Sequence, residues 1–405
     1  MNMELARRIA ITIGALLVFI LGSHIPLPGV STRFEQLFSQ LSSSQIGRVS
    51  IFAPTLAPYV AAAVLIQLLS VVWGRLNTLQ RSGEAGRRKL ARITLILTLL
   101  ITSFLAFGLA SALQNIPEIV AEPGAWFLLS AIASMVGGVF FMVWLSDQIT
   151  RHGIGNGIAL LLSVQILISL PAEVASRLDL LRQGAASANL ELFNVLVWVA
   201  LVALIVLVES ARRNVPLEFA PRQLGARALP ALAWVLPIKV NNAGLYIPAM
   251  VTTWVFDVPL GLAAFIFGND TPWVAAAYEY LQYARPAHLV LSSLVLFVLV
   301  FVYTAHVLDP EHAADTLQKR RGVIPGVAPG EATADYLDRL ASLTTVVAAA
   351  YLVALSAIPE ALASFGVVLP NNIGGGAALI VVCTVLDLKM QVRDVSLTNS
   401  GGVRQ

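Results

Sequence analysis

The residue types that usually carry out chemistry are few in this chain, and their spacing builds no catalytic or metal-binding motif. No two of the five histidines share the spacing of metal ligands on one helix, and the single cysteine, Cys383, leaves neither a disulfide nor a thiolate site. The run GIGNGIAL follows an apolar segment and not a strand, so its glycines indicate a tight turn and not a phosphate-binding loop. The sequence therefore predicts a protein that is not an enzyme and needs no cofactor.

Charged residues avoid the middle of the apolar segments. Ion- and proton-coupled carriers usually keep an ionisable residue there, so this pattern weighs against a secondary transporter. Asp147 and Asp387 lie at segment ends, where a structural or capping role is expected. A transporter built on an inverted repeat stays open as an alternative, and it would need a polar site in the middle of the membrane.

Composition identifies the chain as an integral membrane protein. Hydrophobic residues make up 57% of its 405 residues and charged residues 12%, whereas soluble domains carry about 25% charged residues. A membrane-spanning helix needs about 20 apolar residues. Ten segments are predicted to span, at 9–28, 50–72, 91–113, 126–149, 155–171, 191–209, 238–264, 286–308, 340–358 and 373–392.

The distribution of lysine and arginine predicts the orientation of these spans. Cytoplasmic loops of membrane proteins are enriched in both residues. When the N-terminus is placed in the cytoplasm, the cytoplasmic loops hold nearly all of the 26 lysines and arginines, and the exceptions are Arg33, Arg48, Arg177, Arg182 and Arg285. We therefore expect both ends of the chain to be cytoplasmic.

The second predicted span is interrupted by prolines. The stretch SIFAPTLAPYVAAAVLIQLLS, from Ser50 to Ser70, carries Pro54 and Pro58 in its first third. A proline inside a helix removes a backbone hydrogen bond, and in hydrocarbon the freed group must be satisfied by protein or water. This helix is therefore expected to begin inside the protein and to line a pore.

Ten spans divide into two sets of five, and Pro248 interrupts the second span of the second set as well. Broken segments at matching positions indicate an inverted repeat with a site between its halves. We predict an all-α polytopic membrane protein with two pseudo-symmetric inverted five-helix halves, residues 1–171 and 172–405, around a central pore.

Two predicted cytoplasmic loops, 209–238 and 308–339, are long and rich in arginine, proline and glycine. Basic cytoplasmic loops commonly serve topology and contact with lipid headgroups. Stiff projecting hairpins that dock a large anionic partner are the second interpretation. The residues concerned are Arg212, Arg213, Arg222, Arg227, Lys319, Arg320 and Arg321.

Several runs taken together resemble SecY, the channel subunit of the general (Sec) protein translocase, in family order and at nearly family spacing. The runs are IPLPGVS, SIFAPTLAPYVAAAVLIQLL, EAGRRKLARIT, WLSDQITRHGIGNGIALLL, ESARRNVPLEFAPRQLG, LPIKVNNAG, YTAHVLDPEHAADTLQKRRGVIPGVAPGEATADYLDR and NIGGGAALIVVCTVLDLKMQV. They cover most of the chain, so the chain is identified as a divergent member of that family.

The resemblance implies a ten-helix channel in the bacterial cytoplasmic (inner) membrane. Such a channel carries unfolded secretory chains across the membrane and releases membrane helices sideways into lipid. The family's partners are the SecE and SecG subunits, with the SecA motor or a ribosome on the cytoplasmic loops. A degenerate paralogue with a scaffold or restricted-client role is the alternative within the family.

The resemblance also implies a constriction ring of aliphatic side chains. Positions four apart share one face of a helix, which is consistent with the pairs 56/60 and 162/166. A narrow apolar neck repels water and ions yet deforms around a passing chain. In span seven the alignment allows either Met250 or Ala249 as the ring residue. Met250 is preferred because the small alanine side chain would leave a gap in the ring. The predicted ring is Leu56, Val60, Leu162, Ile166, Met250 and Ile380.

By the same resemblance, a plug lies at about residues 37–46 and a lateral gate lies between spans two and three and spans seven and eight. The predicted plug residues are Phe38, Leu41, Ser42, Ser43, Ser44 and Ile46. The predicted gate residues are Gln67, Asn241 and Asn242, although the asparagines could equally cap the start of span seven. One position departs from the family, because Ala328 replaces the usual arginine of a partner-binding loop. This replacement puts ordinary coupling to the motor in question.

Overall fold

The computed structural model describes residues 3–31, 50–116, 119–185, 187–219, 223–224, 227–228, 232–242, 244, 246–247, 251–268, 271–307, 310–320, 322–365 and 374–401. Contacts divide the chain into two units. The first comprises Met1–Val197 and Leu369–Gln405, and the second comprises Trp198–Val368. These units do not test the predicted halves, 1–171 and 172–405, which stay a prediction.

The first unit is built from helices. They are α1 (Met3–Gly22), α2 (Ala57–Val72), α3 (Gly74–Arg81), α4 (Gly83–Gln114), α5 (Ala125–His152), α6 (Gly157–Arg182), the start of α7 (Ala188–Ser210) and α13 (Gly375–Gly401). Helix α5 packs against α1, α4 and α6, while α2 packs on α4 and α13 packs on α6. One buried apolar cluster of this unit includes Phe19, Phe52, Leu56 and Leu161.

Helix α2 begins inside the protein, as its prolines predict. Its first residue is Ala57, so Pro58 occupies the first turn, where a missing N–H costs no intrahelical bond. Both Leu56 and Pro58 are buried. The start of this apolar helix is therefore surrounded by protein.

A tight turn joins α5 to α6, and the predicted role of the GIGNG glycines is confirmed. Asn156 caps α6, because its side-chain oxygen accepts hydrogen bonds from the backbone N–H groups of Ile158 (3.0 Å) and Ala159 (3.4 Å). A Cβ atom at Gly157 would overlap the backbone carbonyl of Ser146. Only a residue without a side chain lets the two helices approach this closely. Helix α6 continues to Arg182, beyond the span end expected at residue 171.

The second unit combines helices with a small sheet. Its elements after α7 are β1 (Arg212–Phe219), β2 (Gln223–Leu224), β3 (Arg227–Ala228), β4 (Leu232–Lys239), a π-helical turn (Val251–Asp257), α8 (Val258–Phe267), α9 (Pro272–Leu281), α10 (Pro286–Val307), α11 (Pro310–Lys319), β5 (Gly322–Val323) and α12 (Glu331–Ser364). Helices α10 and α12 pack together, and α11 packs on α12.

The three-stranded sheet has the order β4-β1-β5 and is antiparallel. Strands β1 and β4 form the hairpin of loop 209–238, and β5 comes from loop 308–339. Glu218 pairs with Val323 and Phe219 with Gly322, so the two predicted cytoplasmic loops form one platform. Val215, Leu217, Ile324 and Leu337 make up its buried core.

In the part of the chain that the structure describes, eight helical stretches are long and apolar enough to cross a membrane. They are α1, α4, α5, α6, α7, Pro286–Lys319 (α10 with α11), α12 and Gly375–Arg393. Two shorter apolar helices, Ala57–Ser70 and Trp254–Phe267, lie where the second and seventh spans are predicted. The count of ten spans stays a prediction.

Candidate functional site

Helix α2 presents the first pair of predicted ring residues within the first unit. Leu56 precedes the helix and is 1% exposed, while Val60 lies one turn later and is 3% exposed. The backbone N–H of Val60 donates to the carbonyl of Leu56 at 3.0 Å, which fixes their relative position. Leu56 belongs to the buried apolar cluster that contains Phe19 and Phe52, and Leu162 of α6 packs against that same cluster. The structure therefore brings these two predicted ring residues into one cluster.

A buried hydroxyl pair joins α6 to α13. Ser163 Oγ donates to Thr384 Oγ1 at 2.9 Å, and Thr384 Oγ1 donates to the carbonyl oxygen of Ile380 at 2.7 Å. Ile380 itself is 6% exposed. Ser163 follows the predicted ring residue Leu162 in α6, and Thr384 lies one turn after Ile380 in α13, so this pair links the two helices next to these ring residues. Ser163 and Thr384 were not predicted, although a hydroxyl in the middle of an apolar helix is a signal that could have found them.

The side-chain amide of Gln391 makes a second hydrogen-bonded link, between α13 and the turn that precedes α6. Its Oε1 atom accepts a hydrogen bond of 2.8 Å from the backbone N–H of Gly155, in the turn before α6. In addition, Thr12 Oγ1 of α1 accepts from the backbone N–H of Ile154 at 2.9 Å. These side chains tie the α5–α6 turn to both the first and the last helix of the first unit.

The remaining predicted ring and plug residues lie outside the described part of the chain. Met250 is one of them, and the plug residues Phe38, Leu41, Ser42, Ser43, Ser44 and Ile46 are the others. Their roles stay predictions.

The three predicted gate residues have the following surroundings. Gln67 is exposed on α2. Asn241 is buried, and its Nδ2 donates to Glu209 Oε1 at 2.8 Å, linking the end of α7 to the segment after β4. Asn242 Nδ2 donates to the carbonyl oxygen of Lys239 at 2.8 Å. These bonds shape the segment before the π-helical turn, and the roles of all three residues in a gate stay predictions.

Four of the predicted docking cations are exposed beside the three-stranded sheet. Arg212 and Arg213 begin β1, and Lys319 and Arg320 lie at the end of α11, just before β5. Because β1 and β5 are paired, both pairs of cations belong to the same platform. Arg227 lies on β3, while Arg222 and Arg321 are outside the described residues.

The second unit contains a buried ionisable pair that sequence reasoning missed. His288 Nδ1 lies 2.5 Å from Glu360 Oε1, and both side chains are almost completely buried. The Phe256 ring meets the imidazole edge-on with centroids 4.9 Å apart. Tyr283 lies next to the pair, and burial, followed by the charge of Glu360, raises the pKa of its phenol above the ordinary value.

The His288–Glu360 pair connects two helix ends. His288 is in the first turn of α10, and Glu360 is near the end of α12. Among the residues that the structure describes, no three His, Cys, Asp or Glu side chains are grouped so as to hold a metal ion.

Comparison with known proteins gives consistent relatives. A sequence model of the SecY family matches residues 50–389. The chain is 35% identical over 413 aligned positions to protein translocase subunit SecY of Escherichia coli (strain K12), covering 98% of this chain and 93% of that protein. It is 34% identical to the protein of the same name from Rickettsia typhi, covering 96% and 93%, and 34% identical to that of Vibrio cholerae, covering 96% and 91%.

Solved structures agree in fold. A structure concerned with how the plug domain of SecY stabilises the closed translocation channel aligns with a TM-score of 0.72 at 18% identity, covering 97% of this chain and 93% of the other. Sec61 from a canine ribosome-channel complex aligns with a TM-score of 0.61 at 17% identity, with the same coverage. The predicted all-α polytopic membrane fold is thereby confirmed.

Proposed function

Because the chain belongs to the SecY family, we propose that it forms a protein-conducting channel. The channel moves unfolded secretory chains across the cytoplasmic membrane and releases membrane helices laterally into the bilayer. The observation that carries this function is the extent of the match, since 98% of the chain aligns with a protein translocase subunit at 35% identity. The chain acts as a conduit and not as a catalyst, so the driving force comes from a partner.

The proposed constriction uses aliphatic side chains because they seal without binding. Water is excluded from a narrow apolar neck. An ion can then enter the neck only by losing its hydration shell, which is energetically costly. A passing polypeptide displaces the side chains, which return when it has left. Leu56, Val60, Leu162, Ile166, Met250 and Ile380 are the proposed ring, and the plug at 37–46 is its second barrier.

The lateral gate is proposed to lie between spans two and three on one side and spans seven and eight on the other. Gln67, Asn241 and Asn242 are the proposed residues at this boundary. Interhelical hydrogen bonds in membranes contribute about 0.6–2 kcal/mol each. A few such bonds hold a gate closed without preventing a hydrophobic signal sequence from separating the helices.

The proposed partners follow from the same family membership. One solved relative is Sec61 in a ribosome-channel complex, and another is a yeast Ssh1 complex bound to the 80S ribosome. We propose that SecE and SecG assemble with this chain in the membrane. We also propose that a SecA motor or a ribosome binds the exposed cations of the β4-β1-β5 platform. The platform and both chain ends are proposed to lie on the cytoplasmic side of the membrane.

Site-specific crosslinking of a stalled secretory chain tests the function. Cysteines at Val60, Ile166 and Ile380, in a Cys383→Ala background, are expected to crosslink to the stalled chain. Cysteines at the exposed positions Leu65, Leu167 and Val385 of the same three helices are the matched controls. Crosslinks confined to the control positions would overturn the ring, and their absence at all six would overturn the channel.

A further inference from the structure

The segment between Ser50 and Leu56 is packed into the first unit before α2 begins. The backbone N–H of Ile51 donates to the carbonyl of Ile25 at 3.2 Å, and Ser50 forms an antiparallel bridge with Pro26. The Phe52 ring is 6% exposed and lies between two helices. It stacks on Phe19 of α1 with centroids 5.9 Å apart, and on Phe141 of α5 with centroids 6.1 Å apart.

Two glycines, one on each flanking helix, leave the space that this segment occupies. A Cβ atom at Gly22 of α1 would overlap the edge of the Phe52 ring. A Cβ atom at Gly138 of α5 would overlap the backbone carbonyl of Ile51. Neither glycine has a positive φ angle, so the close approach of the segment is the reason for glycine at both positions. In contrast, a Cβ atom at the adjacent Gly137 would meet no described atom within 4 Å.

The link from Phe52 to α2 is short and has little freedom. The backbone N–H of Thr55 donates to the carbonyl of Phe52 at 2.9 Å. Thr55 has a φ of 59°, which is uncommon for a residue other than glycine. Its side-chain oxygen accepts from the backbone N–H of Ala57, the first residue of α2, at 3.0 Å. A displacement of the Phe52 ring would therefore also displace Leu56 and Val60.

We propose that Phe52, held by Gly22 and Gly138, is a positioning residue for the pore: it sets where α2 begins and so keeps Leu56 and Val60 in register for the closed constriction. This inference rests on the proposed function. The four residues between Phe52 and the helix act as a rigid connector, and Phe52 acts on ions only through the two aliphatic side chains beyond it.

The test measures ion leak through the channel in the absence of a client, using purified complex in planar bilayers. Gly22→Ala and Gly138→Ala are each expected to raise the leak severalfold, because both displace the segment before α2. Gly137→Ala is the matched control and is expected to leave the leak unchanged.

A second substitution distinguishes positioning from general damage. Phe52→Leu removes the ring edge that a methyl group at Gly22 would meet. The double variant Phe52→Leu/Gly22→Ala is therefore expected to leak less than Gly22→Ala alone. At Gly138 the Phe52 ring is only a lesser obstacle, 3.1 Å from the added Cβ, and Phe52→Leu leaves the overlap with the Ile51 carbonyl oxygen in place. Phe52→Leu/Gly138→Ala is therefore expected to show little or no rescue of the leak of Gly138→Ala. Such non-additivity reports direct steric coupling.

The outcomes separate this proposal from the channel function itself. Unchanged leak in both glycine variants, with the protein recovered in normal amount, would overturn the positioning role. Equal rescue of both glycine variants by Phe52→Leu would also overturn it. The proposed function fails separately, if a stalled secretory chain crosslinks to none of the six cysteine positions in a channel that keeps Gly22, Phe52 and Gly138.

Discussion

His288 Nδ1 lies 2.5 Å from Glu360 Oε1, and this contact joins the start of α10 to the end of α12. Phe256, in the π-helical turn, meets the same imidazole edge-on. Three segments separated in the sequence thus meet at one histidine. The pair joins the ends of two long helices that pack against each other.

Removing one partner of this pair is expected to destabilise the protein strongly. Leaving one partner of a buried hydrogen-bonded pair unsatisfied costs about 1–3 kcal/mol, and more when the group is charged. We expect Glu360→Ala to lower the thermal unfolding midpoint in detergent clearly. The exposed pair Arg182–Asp179 serves as the control, since Asp179→Ala should change stability by less than about 1 kcal/mol. Equal midpoints for the two variants would contradict the prediction.

A disulfide between α6 and α13 is expected to be compatible with transport. The hydroxyls of Ser163 and Thr384 are 2.9 Å apart, so cysteines there need little movement to reach a sulfur–sulfur distance of about 2.0 Å. The variant Ser163→Cys/Thr384→Cys should be made in a Cys383→Ala background. Both helices belong to the first unit, so the oxidised variant is expected to translocate a model secretory protein at the rate of the reduced one. Inhibition that reductant reverses would show instead that α6 and α13 separate during transport.

Polar substitution in the proposed ring is expected to increase ion leak. Val60→Ser removes apolar surface from the neck and provides a hydroxyl that favours water there. We expect higher resting conductance than in the unsubstituted channel, measured in planar bilayers without a client. Leu65→Ser, at an exposed position of the same helix, is the control and should leave conductance unchanged. If both variants leak equally, Val60 does not contribute to the seal.

Restoring the family arginine is expected to strengthen coupling to the motor. Ala328 is exposed, and the hydrogen bond that it receives, from Thr333 Oγ1 at 2.8 Å, uses its backbone carbonyl. An arginine side chain therefore fits without disturbing this contact. We expect Ala328→Arg to improve complementation of a strain depleted of its ordinary SecY. Ala328→Gln controls for side-chain length without charge. Complementation that is equally poor in all versions, with SecE binding retained, would favour the scaffold alternative.

Local features were predictable from the sequence because neighbouring residues determine them. Pro58 places the start of α2, and the glycines between α5 and α6 form the expected turn. Hydropathy located the membrane helices, although α6 runs on to Arg182 because its polar end continues the helix outside the apolar stretch.

Contacts between distant residues were not predictable in the same way. His288 and Glu360 are 72 positions apart and lie near the ends of different helices. The local sequence around each residue is that of an ordinary helix end and does not indicate a partner. Ser163 and Thr384 are 221 positions apart, and single hydroxyls occur in many membrane helices. The two-residue strand β5 is too short to show a period of alternating side chains. In each case the role of the residue depends on a partner that is distant in the sequence, and the local pattern does not identify that partner.

The pairing of β5 with β1 has a consequence for the order in which the protein is made. Residues 212–219 leave the ribosome long before residues 322–323, and α10 must be synthesised between them. The early hairpin of β1 and β4 can form from local contacts, but the edge beside β1 stays open until β5 arrives. Ile324 and Leu337, which complete the apolar core under the sheet, arrive later still. The platform is therefore assembled late during biosynthesis, and a newly made chain completes it only after its eighth predicted span has been synthesised.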